Sequence, residues 1–294
     1  MKLPLVFNPR SGPRGADPEA LLARLAPALR AAVIPVPFGP PWDWAPFIDQ
    51  AAKAGGPLLV WGGDGTIHHA GRALVAAGCP VPLAAIPGGS GNGLVRGLRT
   101  PLAPAAALAA LLSGRELRMD LPRLDGVPFL NVCGTGFEAA IAHAFDAAGG
   151  RGLRTYVQLC LRLWRTHPVA GLAWEGEAGG LPPAAWSLCF ANLPQYGSGF
   201  WIAPGADPTD GVLQWVTLRR PGTADLLLRS HALLREKGRT TLRQEGRLKL
   251  ATLRLEQPLP WHLDGEPAAP RDRAELTLEP RAFRMQVAKA CPWS

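Results

Sequence analysis

The sequence predicts an α/β N-terminal domain followed by a β-rich, sandwich-like C-terminal domain, and three observations carry that expectation. Short apolar runs alternate with helical patterns through roughly the first hundred residues, as in a parallel sheet with crossover helices. Each of those runs ends at Gly, Pro, Asn or Ser, which places loops at the carboxyl ends of the strands, where open α/β sheets bind ligands. Beyond residue 118 the pattern shifts to shorter alternating segments separated by turn residues, the signature of antiparallel strands. A chain of 294 residues is also near the length at which one hydrophobic core divides into two. We therefore expect an α/β domain over 1–118 and a β-rich domain over 119–294, with a final strand free to return toward the first.

In order, "LPLVFNP" reads as a first strand and "PEALLARLAPALRAA" as a helix; "AVIPVPF" and "WAPFIDQAAKA" repeat the unit, as do "PLLVWGG" with "IHHAGRALVAAG" and "PLAAIPGG" with "NGLVRGL". "PLAPAAALAALLSG" adds one more helix. The runs "AWSLCFANLP", "GVLQWVTL", "RLKLATLRLEQ", "PWHLDGEPA" and "AELTLEPRAFRMQVA" read as antiparallel strands, with helices at "RGLRTYVQLCLRLWRTH" and "GTADLLLRSHALLREKG". The first of these two helices aligns Leu153, Val157, Leu161 and Trp164 along a stripe with Arg151, Arg154, Arg162 and Arg165 nearby. That pattern suits first a helix packed on a core, and after it one lying on an anionic membrane surface.

Composition narrows the function less. Hydrophobic residues make up 47% and charged residues 18%, with a mean hydropathy of +0.05, an ordinary globular balance. Lys and Arg exceed Asp and Glu by 31 to 23, giving +8, which favours nucleic acid, an anionic membrane or a phosphorylated substrate without choosing among them. No run of five basic residues marks a nucleic-acid arm, so no nucleic-acid partner is expected. The five cysteines are widely spaced, with no C-x-x-C pair, and read as reduced core thiols. No signal peptide and no stretch of 18 apolar residues is present, so the expected location is cytoplasmic, with peripheral membrane association if the substrate is a lipid.

The chemistry concentrates in four short stretches. "LLVWGGDGTIHHAG" breaks a buried strand at Gly62, Gly63, Asp64, Gly65 and Thr66. Glycine amides unobstructed by Cβ atoms can form a nest for a polyphosphate. A carboxylate beside phosphates calls for a bridging Mg2+, so Asp64 is a candidate metal organiser. Thr66 is placed to cap a helix beginning at Ile67, adding that helix's N-terminal amides to the phosphate site. Taken alone, "GDG" suits an ordinary turn equally well. "IPGGSGNGL" is a second glycine loop between a strand and a helix; it offers Ser90, Gly91 and Asn92 to a nucleotide, with Asn92 at an N-cap position. "FNPRSG" ends the first strand on the same edge and offers Asn8. In "HLDGEP", Glu266 is a carboxylate suited to accepting a proton, while Asp264-Gly265 suits a hairpin turn. The spacings of a Walker A loop and of G-x-G-x-x-G are absent from these loops.

"NPRSG", "GGDGT", "IPGGSGN" and "LDGEP", in this order, together with "DLPRLDGVPFLNVCGTGFEA" and "ANLPQYGSGFWIAPGADPTDGVLQWVTL", resemble the diacylglycerol kinase catalytic-domain superfamily, which includes bacterial soluble lipid kinases and sphingosine kinases. The resemblance covers nearly the whole chain. It implies an NAD-kinase/diacylglycerol-kinase-like nucleotide domain, a β-sandwich-like second domain, an active site in the cleft between them, and ATP- and Mg2+-dependent transfer of a γ-phosphoryl group to a lipid hydroxyl. On that basis residues 62–67 and Ser90 fall at ATP-binding positions. Glu266 falls at the proton acceptor and Asp264 at its acidic partner. Asp207, Asp210 and Val212 fall at a structural magnesium site of bacterial members.

The sequence departs from the family where His68 and His69 follow "GGDGT" and where "IPVPFGPPW" replaces the threonine region after the second strand. The two histidines lack a third metal ligand and are expected to cap, pack or face solvent. An NAD-kinase-like enzyme and a non-catalytic homologue that binds lipid or nucleotide are the alternatives, and a homodimer stays open.

Overall fold

The structure is a computed structural model that describes residues 2–12, 15–149, 153–175, 181–228 and 230–294. The chain divides into two compact units, one formed by residues 1–120 with 280–294 and the other by residues 121–279.

The first unit alternates strand and helix: β1 (Leu3–Phe7), α1 (Pro18–Ala23), α2 (Pro27–Ala32), β2 (Val33–Pro37), α3 (Ala45–Ala54), β3 (Leu58–Gly62), α4 (Asp64–Ala76), β4 (Leu83–Pro87), α5 (Gly93–Gly97) and α6 (Pro104–Leu112). The sheet runs β2-β1-β3-β4 and is parallel throughout, with Val6 paired to Val60 and Val60 to Ala85. Strands β3 and β4 are buried at every position, as expected of a parallel sheet covered on both faces. Leu5, Phe7, Leu59, Trp61 and Ile86 pack against Leu21, Leu25, Leu108 and Leu111 of the surrounding segments. The run read as one helix over "PEALLARLAPALRAA" is two, α1 and α2, because Pro27 has no amide proton and starts a new helix.

β5 (Arg115–Leu124) carries the chain into the second unit, which contains β6 (Val127–Pro128), β7 (Val132–Gly136), α7 (Phe137–Ala147), α8 (Leu153–Thr166), β8 (Ala170–Glu175), β9 (Ala184–Ala185), β10 (Ser187–Ala191), β11 (Gln195–Gly197) and β12 (Phe200–Trp201). It continues with β13 (Leu213–Leu218), α9 (Thr223–Leu228), a 3-10 turn (Ser230–Leu234), β14 (Arg243–Leu248), β15 (Ala251–Leu263) and β16 (Glu266–Val287). β14, β13, β10, β7, β15 and the first part of β16 are neighbours in this order, and the pairs are antiparallel. The core joins Phe190, Trp215, Trp261, Leu253 and Leu276. The run "RLKLATLRLEQ", read as one strand, is divided between β14 and β15. The end of β16 returns to the first unit, where Met285 pairs in parallel with Leu83 of β4, so residues 280–294 lie with the N-terminal α/β unit and not with 121–279. All five cysteines are free thiols.

Candidate active site

Three loops of the first unit converge at the carboxyl ends of β1, β3 and β4. Asn8 continues β1 by donating its amide to the Trp61 carbonyl at 3.1 Å, and the Gly88 amide donates to the Gly62 carbonyl at 2.8 Å. The indole of Trp61 donates to the Pro87 carbonyl at 3.1 Å, closing β3 onto β4.

The glycines serve this approach. A Cβ on Gly89 would stand 2.8 Å from the Gly63 Cα, too close for any side chain, and one on Gly88 would stand 3.1 Å from Gly62 backbone atoms, so that Gly62 would have to shift. The two glycine loops therefore pack backbone against backbone, a requirement independent of any bound phosphate.

Asp64 has a use the sequence did not reveal. Its Oδ2 accepts the Asn92 amide at 2.8 Å and its Oδ1 accepts the Gly93 amide at 2.7 Å. The carboxylate of the first glycine loop thus caps α5, which leaves the second loop, and compensates amides that a helix start cannot satisfy internally. Asn92, expected to cap α5, stands at the N-cap in the left-handed region (φ 52°) without a side-chain cap. Its amide group instead braces its own loop, accepting from the Gly89 amide at 2.9 Å and donating to the Gly89 carbonyl at 2.7 Å.

Thr66 is not the N-cap of α4. α4 starts at Asp64 with Gly63 as N-cap, and the Thr66 Oγ1 accepts from the Asn8 Nδ2 at 3.3 Å. Asn8 also takes the Arg10 amide on its Oδ1 at 2.9 Å, so it fixes the first loop and ties it to α4. Ile67 is buried in α4, while Ser90 is exposed and Gly65 and Gly91 are partly exposed.

The histidines after "GGDGT" are packing residues. His68 is buried on α4. His69 stacks on Trp42 with ring centroids 5.2 Å apart, and Trp42 lies parallel to Trp44 at 6.0 Å. Burial holds the His69 pKa below the ordinary imidazole value, and the neighbouring His68 and Arg72 lower it further.

In the second unit, Asp264 and Gly265 turn the hairpin between β15 and β16, with φ values of 53° and 92° and Leu263 paired to Glu266. Asp-Gly supplies the two left-handed positions this turn needs. The Asp264 carboxylate accepts three successive amides, with Leu130 on Oδ2 at 2.9 Å and Asn131 and Val132 on Oδ1 at 2.8 and 3.1 Å. The Asp264 amide in turn donates to the Val132 carbonyl at 2.7 Å. The residue matched to an acidic catalytic partner is thereby a backbone clamp that seats the hairpin on the 130–132 segment.

His262 supports the same turn. It is buried, its Nδ1 accepts the Gly265 amide at 3.3 Å, and its Nε2 lies 3.2 Å from the Tyr196 hydroxyl. Burial pushes its pKa down to about 4, so it is neutral at physiological pH, and the accepting Nδ1 places the proton on Nε2, toward Tyr196. Glu266, partly exposed, follows this turn at the start of β16.

The segment matched to a structural metal site folds as a turn. Asp207 Oδ1 accepts from the Thr209 amide and hydroxyl at 2.9 and 2.7 Å, and Asp210 Oδ1 accepts the Val212 amide at 3.1 Å. Asp210 also lies 3.6 Å from Arg247. Among the described residues no three His, Cys, Asp or Glu side chains gather at one point. A metal held here would be met by carboxylate oxygens of Asp207 and Asp210 and by the Val212 carbonyl, since the Val212 amide is already a donor. Asp64 fits the ordinary mode of Mg2+ binding, in which one carboxylate joins substrate phosphates and waters.

Sequence reasoning missed Glu138 in the first turn of α7. The residue is partly buried, its Oε1 is shut off from solvent without a hydrogen-bond partner, and burial pushes its pKa up to about 8. A Cβ on Gly134 would meet that oxygen at 2.9 Å, so the carboxyl lies directly over the glycine of β7. A lone acidic residue between "GTG" and "AAIA" was the available signal. Between the ordinary carboxyl range and pH 8 the folded protein keeps this proton and the unfolded chain releases it, so stability falls as pH rises through that window. Glu138→Gln should remove the slope, exceeding the wild type at alkaline pH by an amount on the order of 4 kcal/mol. Urea unfolding at several pH values checks this.

Comparison with known proteins bears on the chain as a whole. Residues 2–124 match the family described as the diacylglycerol kinase catalytic domain. The chain is 30% identical over 260 residues to a Pseudomonas fluorescens protein named probable lipid kinase YegS-like, covering 83% of this chain and 82% of that one. It is 29% identical over 245 residues to the diacylglycerol kinase of Mycobacterium tuberculosis, covering 80% and 77%. A crystal structure of a diacylglycerol kinase from Bacillus anthracis superposes with a TM-score of 0.76 at 20% identity, over 98% of both chains. The chain belongs to the diacylglycerol kinase catalytic-domain family. At the level of that family it is a kinase of the lipid-kinase type. No described helix is long and apolar enough to cross a membrane.

Proposed function

We propose that the protein transfers the γ-phosphoryl group of ATP to the hydroxyl of a lipid such as a diacylglycerol or a sphingoid base. The observation that carries this reading is the convergence of three loops at the carboxyl ends of β1, β3 and β4, with Asp64 of one loop holding the backbone of another. In this reading residues 62–67, with Asn8 and the loop of Ser90, Gly91 and Asn92, cradle the polyphosphate. The amides of the loops and of the first turn of α4 face the negative charge that builds on the transferred group. Mg2+ at Asp64, when bound, supplies charge neutralisation on the phosphate oxygens.

Glu266 acts at the other end of the reaction. A lipid alcohol is a weak nucleophile, so its oxygen attacks the γ-phosphorus as Glu266 accepts its proton, and ADP leaves. Asp264, His262 and Tyr196 hold the turn from which Glu266 projects. In this reading the lipid hydroxyl comes to Glu266 from a membrane surface, and the transfer takes place where the nucleotide of the first unit meets it.

Incubation with labelled ATP, Mg2+ and a total lipid extract, followed by mass spectrometry, should yield a phosphorylated lipid. NAD offered in place of lipid should yield no phosphorylated product; the opposite pattern would favour the NAD-kinase-like alternative.

A further inference from the structure

Helix α8 of the second unit has two unlike faces. Leu159, Cys160, Leu163 and Trp164 are partly buried, and the Trp164 indole donates to the Pro221 carbonyl at 2.7 Å. Trp164 therefore faces inward, unlike its place in the apolar stripe read from the sequence. The opposite face, repeating at helical spacing, holds Arg154, Val157, Gln158, Leu161, Arg162 and Arg165, all exposed. Val157 and Leu161 are 45% and 60% exposed, and Val169, just past the helix, is 54% exposed. These are three of the seven large apolar side chains that the described residues leave in solvent, so exposure is concentrated here.

The charge on this face has one sign. The fourteen residues of α8 include no Asp or Glu, and Arg154 and Arg162 make no ion pair with described residues. Arg165 lies over the Trp164 ring, 5.2 Å from its centroid. Arg151 lies outside the described residues. An apolar pair flanked by cations suits the boundary between lipid headgroups and acyl chains, where the aliphatic stems of arginine rest on the apolar zone and the guanidinium groups meet phosphates. A water-soluble protein partner would have to bring its own acidic rim, whereas an anionic bilayer supplies that charge everywhere along its surface.

We propose that the outer face of α8, with Val157 and Leu161 inserting and Arg154, Arg162 and Arg165 at the phosphates, docks the protein on anionic lipid membranes. This extends the lipid-kinase reading, because the acceptor of such an enzyme resides in a bilayer, but docking itself needs neither ATP nor turnover. The face then holds the enzyme at the surface from which its substrate is drawn.

The test is co-sedimentation of the full chain with phosphatidylcholine vesicles with and without phosphatidylglycerol, in the absence of ATP and substrate lipid. Binding is expected only with phosphatidylglycerol and should weaken as salt rises. Val157→Glu with Leu161→Glu should weaken it by at least about tenfold, and each of Arg154→Gln and Arg162→Gln by about fivefold at low salt. An unchanged melting temperature for the double variant establishes that it folds. Turnover on lipid dispersed in neutral detergent micelles should stay near wild type, which separates failure of docking from failure of the kinase reading. Equal binding to neutral vesicles, wild-type binding by the double variant, or a dimer of the wild type that the double variant dissolves would overturn the proposal.

Discussion

Glu266→Gln should lower lipid phosphorylation by about 10²- to 10⁴-fold while leaving nucleotide affinity near that of the wild type. The side chain keeps its size and loses only the capacity to take a proton. Glu266 follows a hairpin turn held by Asp264 and His262, and the phosphate-side loops belong to residues 8–12, 62–66 and 88–93 of the other unit. An effect confined to the chemical step is the mark of a proton acceptor; a matching rise in the KM for ATP would place Glu266 in nucleotide binding instead. Initial rates at saturating ATP, with ATP binding measured by calorimetry, separate the two.

Asp264→Ala should cost about 3–5 kcal/mol of stability, since it leaves the amides of Leu130, Asn131 and Val132 without their acceptor. Asp264→Asn keeps one acceptor oxygen but replaces the other with a donor, which faces an amide and repels it. Its cost should be smaller, about 1–2 kcal/mol. Both variants should also slow turnover, through displacement of the turn that carries Glu266. Chemical denaturation with activity measured on the same samples checks the order: a purely catalytic Asp264 predicts lost turnover with unchanged stability, and a clamp predicts that both fall together.

The legible parts of this protein are those written in local periodicity. The strand and helix alternation of residues 3–112 follows from short apolar runs punctuated by Gly and Pro, and the parallel sheet follows from the alternation. Pro27 alone divided the helix that the apolar pattern had joined. The glycine loops were visible, but their reason was only half visible: the sequence suggested room for phosphate, while the structure shows Gly88 and Gly89 also making room for Gly62 and Gly63.

What the sequence could not convey were contacts over long separations. Asp64 reaches residues 28 and 29 positions away, and Asp264 reaches amides 132 to 134 positions away. A carboxylate in a motif invites a catalytic or metal role, and nothing local reveals that its oxygens already receive backbone amides. Glu138 was hidden for the opposite reason: a single acidic residue in an amphipathic helix ordinarily faces water, and only the packing of α7 over β7 buries its carboxyl oxygen. His68 and His69 looked like an unexplained pair until Trp42 supplied a stacking partner for His69.

The central claim is that the converging loops and Glu266 together make a lipid kinase. Its most direct measurement is the transfer of label from γ-labelled ATP to a total lipid extract by the wild type and by Glu266→Gln. The account predicts a labelled phospholipid from the wild type and a rate at least about a hundredfold lower from the variant. Label in no lipid, or equal label from both proteins, would contradict it.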